Sequence, residues 1–230
     1  MKDGHSQGFD TARAPLVFGS AVWIALVIAL ASTGLPDAPG GPSEPLQRGA
    51  GVHSSLPTAT PEGYRLVDAA VAQVGITTSY EVAYVPLDYP GGDVPLESGV
   101  CTDVIVRAFR GIGIDLQSGV HEDMTAHPDE YPQRWGHVRP DSNIDHRRVS
   151  NLERYFTRRG MKLPMSPMGV DYRPGDIVTW TFAGYPHIGI VSAKPALTGA
   201  HYEIVHNIGR GVRVEDCLFL MEITGHYRWR

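Results

Sequence analysis

Any nucleophilic chemistry in this 230-residue chain points first to Cys101 or Cys217, its two cysteines, because a thiolate is the strongest nucleophile a side chain offers near neutral pH. Cys101 opens the stretch Cys-Thr-Asp-Val-Ile-Val-Arg-Ala-Phe109, and Val104, Ile105, Ala108, Phe109 and Ile112 recur there at helical spacing. Gly111 and Gly113 can end that helix. The thiol is thus expected in the first turn of a buried helix, where unpaired amides and the macrodipole favour the thiolate. Backbone amides just after Gly99 can also face a developing oxyanion. The competing reading is a cysteine buried as a small apolar side chain. That reading is the one adopted for Cys217, which stands in Glu-Asp-Cys-Leu-Phe with no base near it in sequence.

A cysteine nucleophile needs a base, and His187 opens the strand pattern His-Ile-Gly-Ile-Val191. Alternation puts His187, Gly189 and Val191 on one face and Ile188 and Ile190 on the other. Glycine weakens a strand unless something approaches it closely. The helix of Cys101 is therefore expected to pack over Gly189 and bring thiol and imidazole together. The base in turn needs an orienting partner, and His206 or Asn207 qualifies. They lie on opposite faces of one strand, so one of the two serves.

The elements that must hold these groups follow from periodicity. Leu66, Val67, Ala70, Val71 and Val74 predict a first helix over Glu62 to Val74, with Pro61 suited to its first turn. Pro86, Pro90, Gly91-Gly92 and Pro95 exclude a long regular element between Tyr80 and Gly99, leaving a shaped loop that leads into Cys101. Leu116, Val120 and Met124 fall four apart, and Leu152, Tyr155 and Phe156 form another short apolar stripe. After the turn signal Arg173-Pro-Gly-Asp176 the period changes to that of strands: 177–182, 188–191, 202–208, 212–214 and 218–227. The short Ala183-Gly-Tyr-Pro186 connection makes the first two a hairpin. Helices first and an antiparallel strand meander afterwards give an α+β domain.

The remaining sequence bounds the setting. A formal net charge of −5 gives no broad attraction to nucleic acid or anionic lipid, so neither is an expected partner. Pro15 to Pro36 carries no charged residue and includes an apolar run from Ala21 to Ala31. It reads as an export segment, with Ala29-Leu-Ala31 as a small-x-small cleavage pattern. It is also about long enough for a spanning helix of roughly 20 residues, so release and tethering both stay open. Residues 37–60, rich in Pro, Gly and Ser, form a spacer, and one domain occupies residues 61–230. Periplasm or cell envelope is the expected location, any membrane contact is through the N-terminal segment, and a monomer is the expected state.

The order Tyr89-Pro-Gly-Gly, Gly-Val-Cys101-Thr-Asp, Pro-Gly-Asp-Ile-Val, His187-Ile-Gly-Ile-Val and Ile-Val-His206 resembles the NlpC-type cell-wall peptidases of the papain-like superfamily, over roughly Val67 to Ile208. The phrases Gly-Val-Cys-Thr-Asp, Val-His-Glu-Asp-Met, Asn-Ile-Asp-His-Arg-Arg and Pro-Gly-Asp-Ile-Val-Thr-Trp are similar to an uncharacterised bacterial branch of that superfamily. The resemblance implies a papain-like fold with Cys101 as nucleophile, His187 as base, His206 as its orienting residue and Tyr89 as the tyrosine of the oxyanion site. No metal and no cofactor are expected, since Cys-x-x-Cys and Cys-x-x-His spacing is absent. The resemblance implies hydrolysis of amide bonds in peptidoglycan stem peptides through a thioester acyl-enzyme. The chain departs from the family where Asp-Cys-Ser-Gly becomes Val-Cys-Thr-Asp, and where residues 121–148 form a long insertion.

Arg147 and Arg148 are assigned to substrate contact, since a guanidinium matches a stem-peptide carboxylate bidentately, and Asp103 because it flanks the nucleophile where the chain departs from the family motif. Ordinary ion pairs compete with that assignment, Asp103 with Arg107 at helical spacing and the two arginines with Asp145 or Asp141. His121-Glu122-Asp123 lacks the spacing that puts two imidazoles on one helical face, so a salt-bridged wall is expected there rather than a metal site. Trp135 and Trp180 are assigned to packing. Two other functions share these residues: a wall-peptide-binding domain without turnover, and a thiol acyltransferase or lipid-acting hydrolase.

Overall fold

A computed structural model describes residues 56–133 and 139–230. The apolar N-terminal run, most of the spacer and Trp135 lie outside the described residues, among which no helix is long and apolar enough to cross a membrane.

Helix α1 (Pro61–Val71) starts where Thr60 accepts a hydrogen bond from the Gly63 amide at 3.1 Å and Pro61 takes the first turn, as its fixed φ permits. It ends one turn earlier than the apolar period suggests, because Val71 and Val74 are exposed and tertiary packing holds only Leu66, Val67 and Ala70. Helix α2 (Cys101–Gly111) begins at the cysteine itself and buries Val104, Ile105, Ala108 and Phe109. Gly113, at φ 84°, takes the left-handed turn that follows. Helices α3 (Leu116–Ala126) and α4 (Val149–Arg158) complete the helical half; Asp115 caps the first through the Gln117 amide.

The second half is one antiparallel sheet of β1 (Ile177–Phe182), β2 (Tyr185–Pro195), β3 (Tyr202–Asn207), β4 (Val212–Glu215) and β5 (Glu222–Tyr227), in the order β4-β3-β2-β1-β5. The fold is α+β, as the periodicity indicates. Ala183 and Gly184, at φ 49° and 82°, form the two-residue primed turn that matches strand twist and pairs Phe182 with Tyr185. A simple meander would place the last strand beside β4. Instead β5 returns to the far edge and pairs with β1.

The sheet separates two apolar clusters. Ile177, Ile188, Ile190, Val205 and Val212 face α1, α2 and α4, while Val178, Trp180, Val191 and Ile204 face Tyr172, Cys217 and Leu218. Gly189 shares the second face. A Cβ there would lie 2.6 Å from Ile204 Cγ2 and 3.2 Å from His206 Cβ, so the glycine is required by the neighbouring strand and not, as expected, by α2. The helix rests on the Ile188 and Ile190 face.

Candidate active site

The position of Cys101 is set by an opening in the sheet. The β2–β3 ladder pairs Ile190 with Val205 and Val191 with Ile204, and does not extend to His187 or Asn207. The start of α2 fits into this open end. The Ile188 amide donates to Cys101 Sγ, and Asn207 Nδ2 donates to Gly99 O at 2.9 Å and to Ser79 O at 3.0 Å. Asn207 therefore holds the two loop segments before the nucleophile, which leaves His206 as the residue next to the base.

Cys101 lines a cleft of about 210 Å³ together with Tyr80, Val82, Ile144, Arg147, Arg148 and Pro186. Tyr80 Oη donates to Cys101 Sγ at 4.0 Å. Burial pushes the Cys101 thiol up to about 11, opposed by hydrogen bonds from Tyr80 and from the Ile188 and Thr102 amides. Desolvation thus outweighs the helix terminus, and the resting group is a neutral thiol, contrary to the thiolate expected from helix position alone.

The histidines form their own chain. His187 Nε2 and His206 Nδ1 are 2.8 Å apart, and His206 Nε2 lies 2.9 Å from Glu215 Oε2. Cys217 Sγ is 3.6 Å from the same His206 nitrogen, so Cys217 has a base beside it that its sequence neighbourhood does not reveal. The His187 ring leans on Trp180, its cross-strand partner. Burial, reinforced by His206, lowers His187 to about 3, and burial also lowers His206 against the raising effect of Glu215. Cys101 and His187 share no hydrogen bond in this structure: the thiol meets the backbone of Ile188, one residue along the strand.

Other sequence-derived site residues are placed differently from expectation. Tyr89 is 44% exposed, with its hydroxyl 3.3 Å from Glu122 Oε1 and its ring against His121, away from the thiol. Tyr80 stands where Tyr89 was expected, because the Pro- and Gly-rich loop carries Tyr89 past the cleft. A tyrosine next to Ser79, whose carbonyl Asn207 holds, is the only sequence feature pointing to Tyr80, and that tie is non-local.

Asp103 and Arg147, both expected at the substrate, form a buried ion pair with each other. Arg147 Nε and Nη2 donate to the two Asp103 oxygens at 2.9 and 3.0 Å, with the side chains 3% and 4% exposed. Asp103 Oδ2 also caps the Val100 amide at 2.7 Å, and Arg147 reaches the Ala83 carbonyl at 3.3 Å. The two charges pair with each other, and Arg147 also lines the cleft. Arg107 pairs with Asp93 at 2.9 Å, not with Asp103. Arg148 lines the cleft, with Asp145 and Asp141 acting on its charge. Asp123 pairs with Arg158 of α4 at 2.7 Å, and neither residue lines the cleft. Among the described residues no group of three or more His, Cys, Asp or Glu side chains comes together to hold a metal ion.

The structure thus brings a cysteine at a helix start onto a cleft and sets a buried histidine pair on adjacent strands. Residues 67–229 match the family model described as "Domain of unknown function (DUF1287)", and the chain belongs to that family. The "Uncharacterized protein YijF" of Escherichia coli (strain K12) is 52% identical over 165 residues, covering 71% of this chain and 80% of that one. Among solved structures, "Structure of NlpC1 from Trichomonas vaginalis" aligns with a TM-score of 0.40 and 11% identity, over 76% of this chain and 46% of that chain. This chain therefore spans under half the length of that structure.

Proposed function

We propose that this protein is an exported cysteine hydrolase that cleaves amide bonds in peptidoglycan stem peptides, with Cys101 as nucleophile, His187 as base and His206 orienting the base. The observation that carries the reading is the placement of Cys101. It opens α2 on the cleft, under the Tyr80 hydroxyl, in the gap of the sheet beside the strand ends that bear His187 and His206. The motif order around the same residues supports the substrate class, and the apolar N-terminal run supports export.

In this reading His187 takes the proton of the Cys101 thiol as sulfur attacks the amide carbonyl. The tetrahedral oxyanion is met by amides at the start of α2 and by Tyr80. The amine leaves with the proton from His187, and water activated by the same imidazole cleaves the thioester, returning the thiol and releasing the acid. The thiol meets the Ile188 amide on the helix side of the sheet while the His187 ring lies against Trp180 on the other, so the reading requires the His187 side chain to turn into the gap at the strand end. Catalytic hydrogen bonds in unliganded sites often tighten only when substrate is present.

One observation favours a second reading. Cys217, not Cys101, is the thiol within hydrogen-bonding range of a histidine. It is buried in the cluster around Trp180 and Leu218, and burial, with Glu215 and Asp216, pushes it up to about 12. The test is product analysis of purified muropeptides incubated with the protein and with its Cys101→Ala and Cys217→Ala forms. Loss of release in Cys101→Ala alone supports the first reading. Loss in Cys217→Ala alone supports the second, and no release by the unaltered chain leaves a binding domain or an acyltransferase as the function.

A further inference from the structure

We propose that Glu215 is a positioning residue: by accepting a hydrogen bond from His206 Nε2 it fixes the tautomers of both histidines and leaves the lone pair of His187 on Nδ1. The inference rests on the reading of His187 as the base.

The assignment follows from what each atom can do. A carboxylate oxygen only accepts hydrogen bonds, so the 2.9 Å contact requires the proton on His206 Nε2. A neutral His206 then has its lone pair on Nδ1, and the 2.8 Å contact with His187 Nε2 is made only if His187 donates. His187 is left with a proton on Nε2 and a lone pair on Nδ1, the one ring nitrogen not engaged with His206. Both imidazoles are held neutral by their burial, so the relay carries one tautomer and not a cation.

Two other groups compete for His206. Cys217 lies 3.6 Å from Nε2, and a thiol proton there would demand the opposite tautomer. It would also set the Nε2 lone pair against the Glu215 carboxylate, which is closer and charged; the carboxylate therefore decides. Arg213 is the cross-strand partner of His206 and can only donate, so it offers no acceptor. Glu215 reaches His206 diagonally, from the position paired with Ile204 on the edge strand β4. Its side chain is 42% exposed, so replacing it leaves no buried cavity.

The experiment is nitrogen-15 NMR of histidine-labelled full-length protein, beside muropeptide kinetics, for the unaltered chain, Glu215→Leu, Glu215→Gln and Cys217→Ser. The expected spectrum of the unaltered chain shows His187 protonated on Nε2. Glu215→Leu mixes the tautomers, and Glu215→Gln, whose amide oxygen also accepts, keeps them. Turnover falls about 10- to 100-fold in Glu215→Leu with KM little changed, the range seen when an orienting partner is lost, and Glu215→Gln recovers most of it. A His187 proton found on Nδ1 in the unaltered chain overturns the inference. So does an unchanged tautomer in Glu215→Leu, or a tautomer moved by Cys217→Ser alone. The spectra need no substrate: if they behave as expected while nothing is released from muropeptides, the relay stands and the hydrolase reading fails. Turnover that proceeds with the Glu215→Leu spectrum unchanged has the reverse meaning.

Discussion

At Cys101 two effects oppose one another, and their balance can be measured. A helix start and three hydrogen bonds favour the thiolate, while burial disfavours it and wins, holding the group at about 11. Below that value the thiolate fraction grows about tenfold per pH unit. In a Cys217→Ala background, alkylation of Cys101 by iodoacetamide is therefore expected to accelerate steadily from about pH 7 to about pH 10. A plateau reached by about pH 7 would contradict this and would mean a preformed thiolate. Tyr80 is one of the groups that lowers the thiol, so Tyr80→Phe raises it further and slows alkylation at any fixed pH in that range. Faster or unchanged alkylation would remove Tyr80 from the site.

At the scale of elements, the start of α2 is held by a pair that joins it to the chain 44 residues later. Removing one partner of a buried pair strands the other charge. Asp103→Ala leaves Arg147 buried without a carboxylate and the Val100 amide without its cap, which is expected to cost about 3–5 kcal/mol in urea unfolding. Asp103→Leu combined with Arg147→Met should recover much of that loss, since an apolar pair of similar size has no charge to strand. A loss under about 1 kcal/mol in Asp103→Ala would show instead that water reaches Arg147. Gly189→Ala should destabilise by about 1–3 kcal/mol, because the added methyl meets Ile204 and His206 of β3. What the sequence discloses at this scale is local. The apolar period places Cys101 in the first turn of α2 and marks β1 at both ends, and the short connection after β1 announces the hairpin, although Tyr185 and Pro186, expected in that connection, belong to β2. The partner of Asp103, the return of β5 to β1 and the substitution of Tyr80 for Tyr89 all depend on where distant segments meet, which periodicity does not encode. Cys101, His187 and His206 stand out because their chemistry is unusual for their position. Glu215 does not, because an acid on an edge strand is ordinary until His206 is seen beside it.

For the whole molecule, three histidines kept neutral inside the fold make stability depend on mild acid. His187 is lowered to about 3 and His146 to about 4 from an ordinary value of 6.5, and His206 is lowered as well, with burial the leading cause in each. Between 6.5 and those values the unfolded chain binds protons that the folded chain does not. Stability is therefore full above about 6.5 and is lost as the pH falls towards 4 and then 3. Each such histidine contributes up to about 1.4 kcal/mol per pH unit across its window. Asp145, which burial raises, takes up a proton in the fold and works in the opposite direction. The charges around His146 are Asp103, Arg147, Asp115 and Arg110, two of each sign, so desolvation governs it. His146 Nδ1 is buried without a hydrogen-bond partner, so replacing this ring with an apolar side chain removes a proton acceptor and breaks no hydrogen bond of that atom. The expected result in urea unfolding is a clear fall in stability from about pH 7.5 to about pH 5.5, with a shallower fall in His146→Leu by the share of one histidine. A flat profile in the unaltered protein, or the same slope in both proteins, would show that these imidazoles take up protons as readily in the fold as outside it.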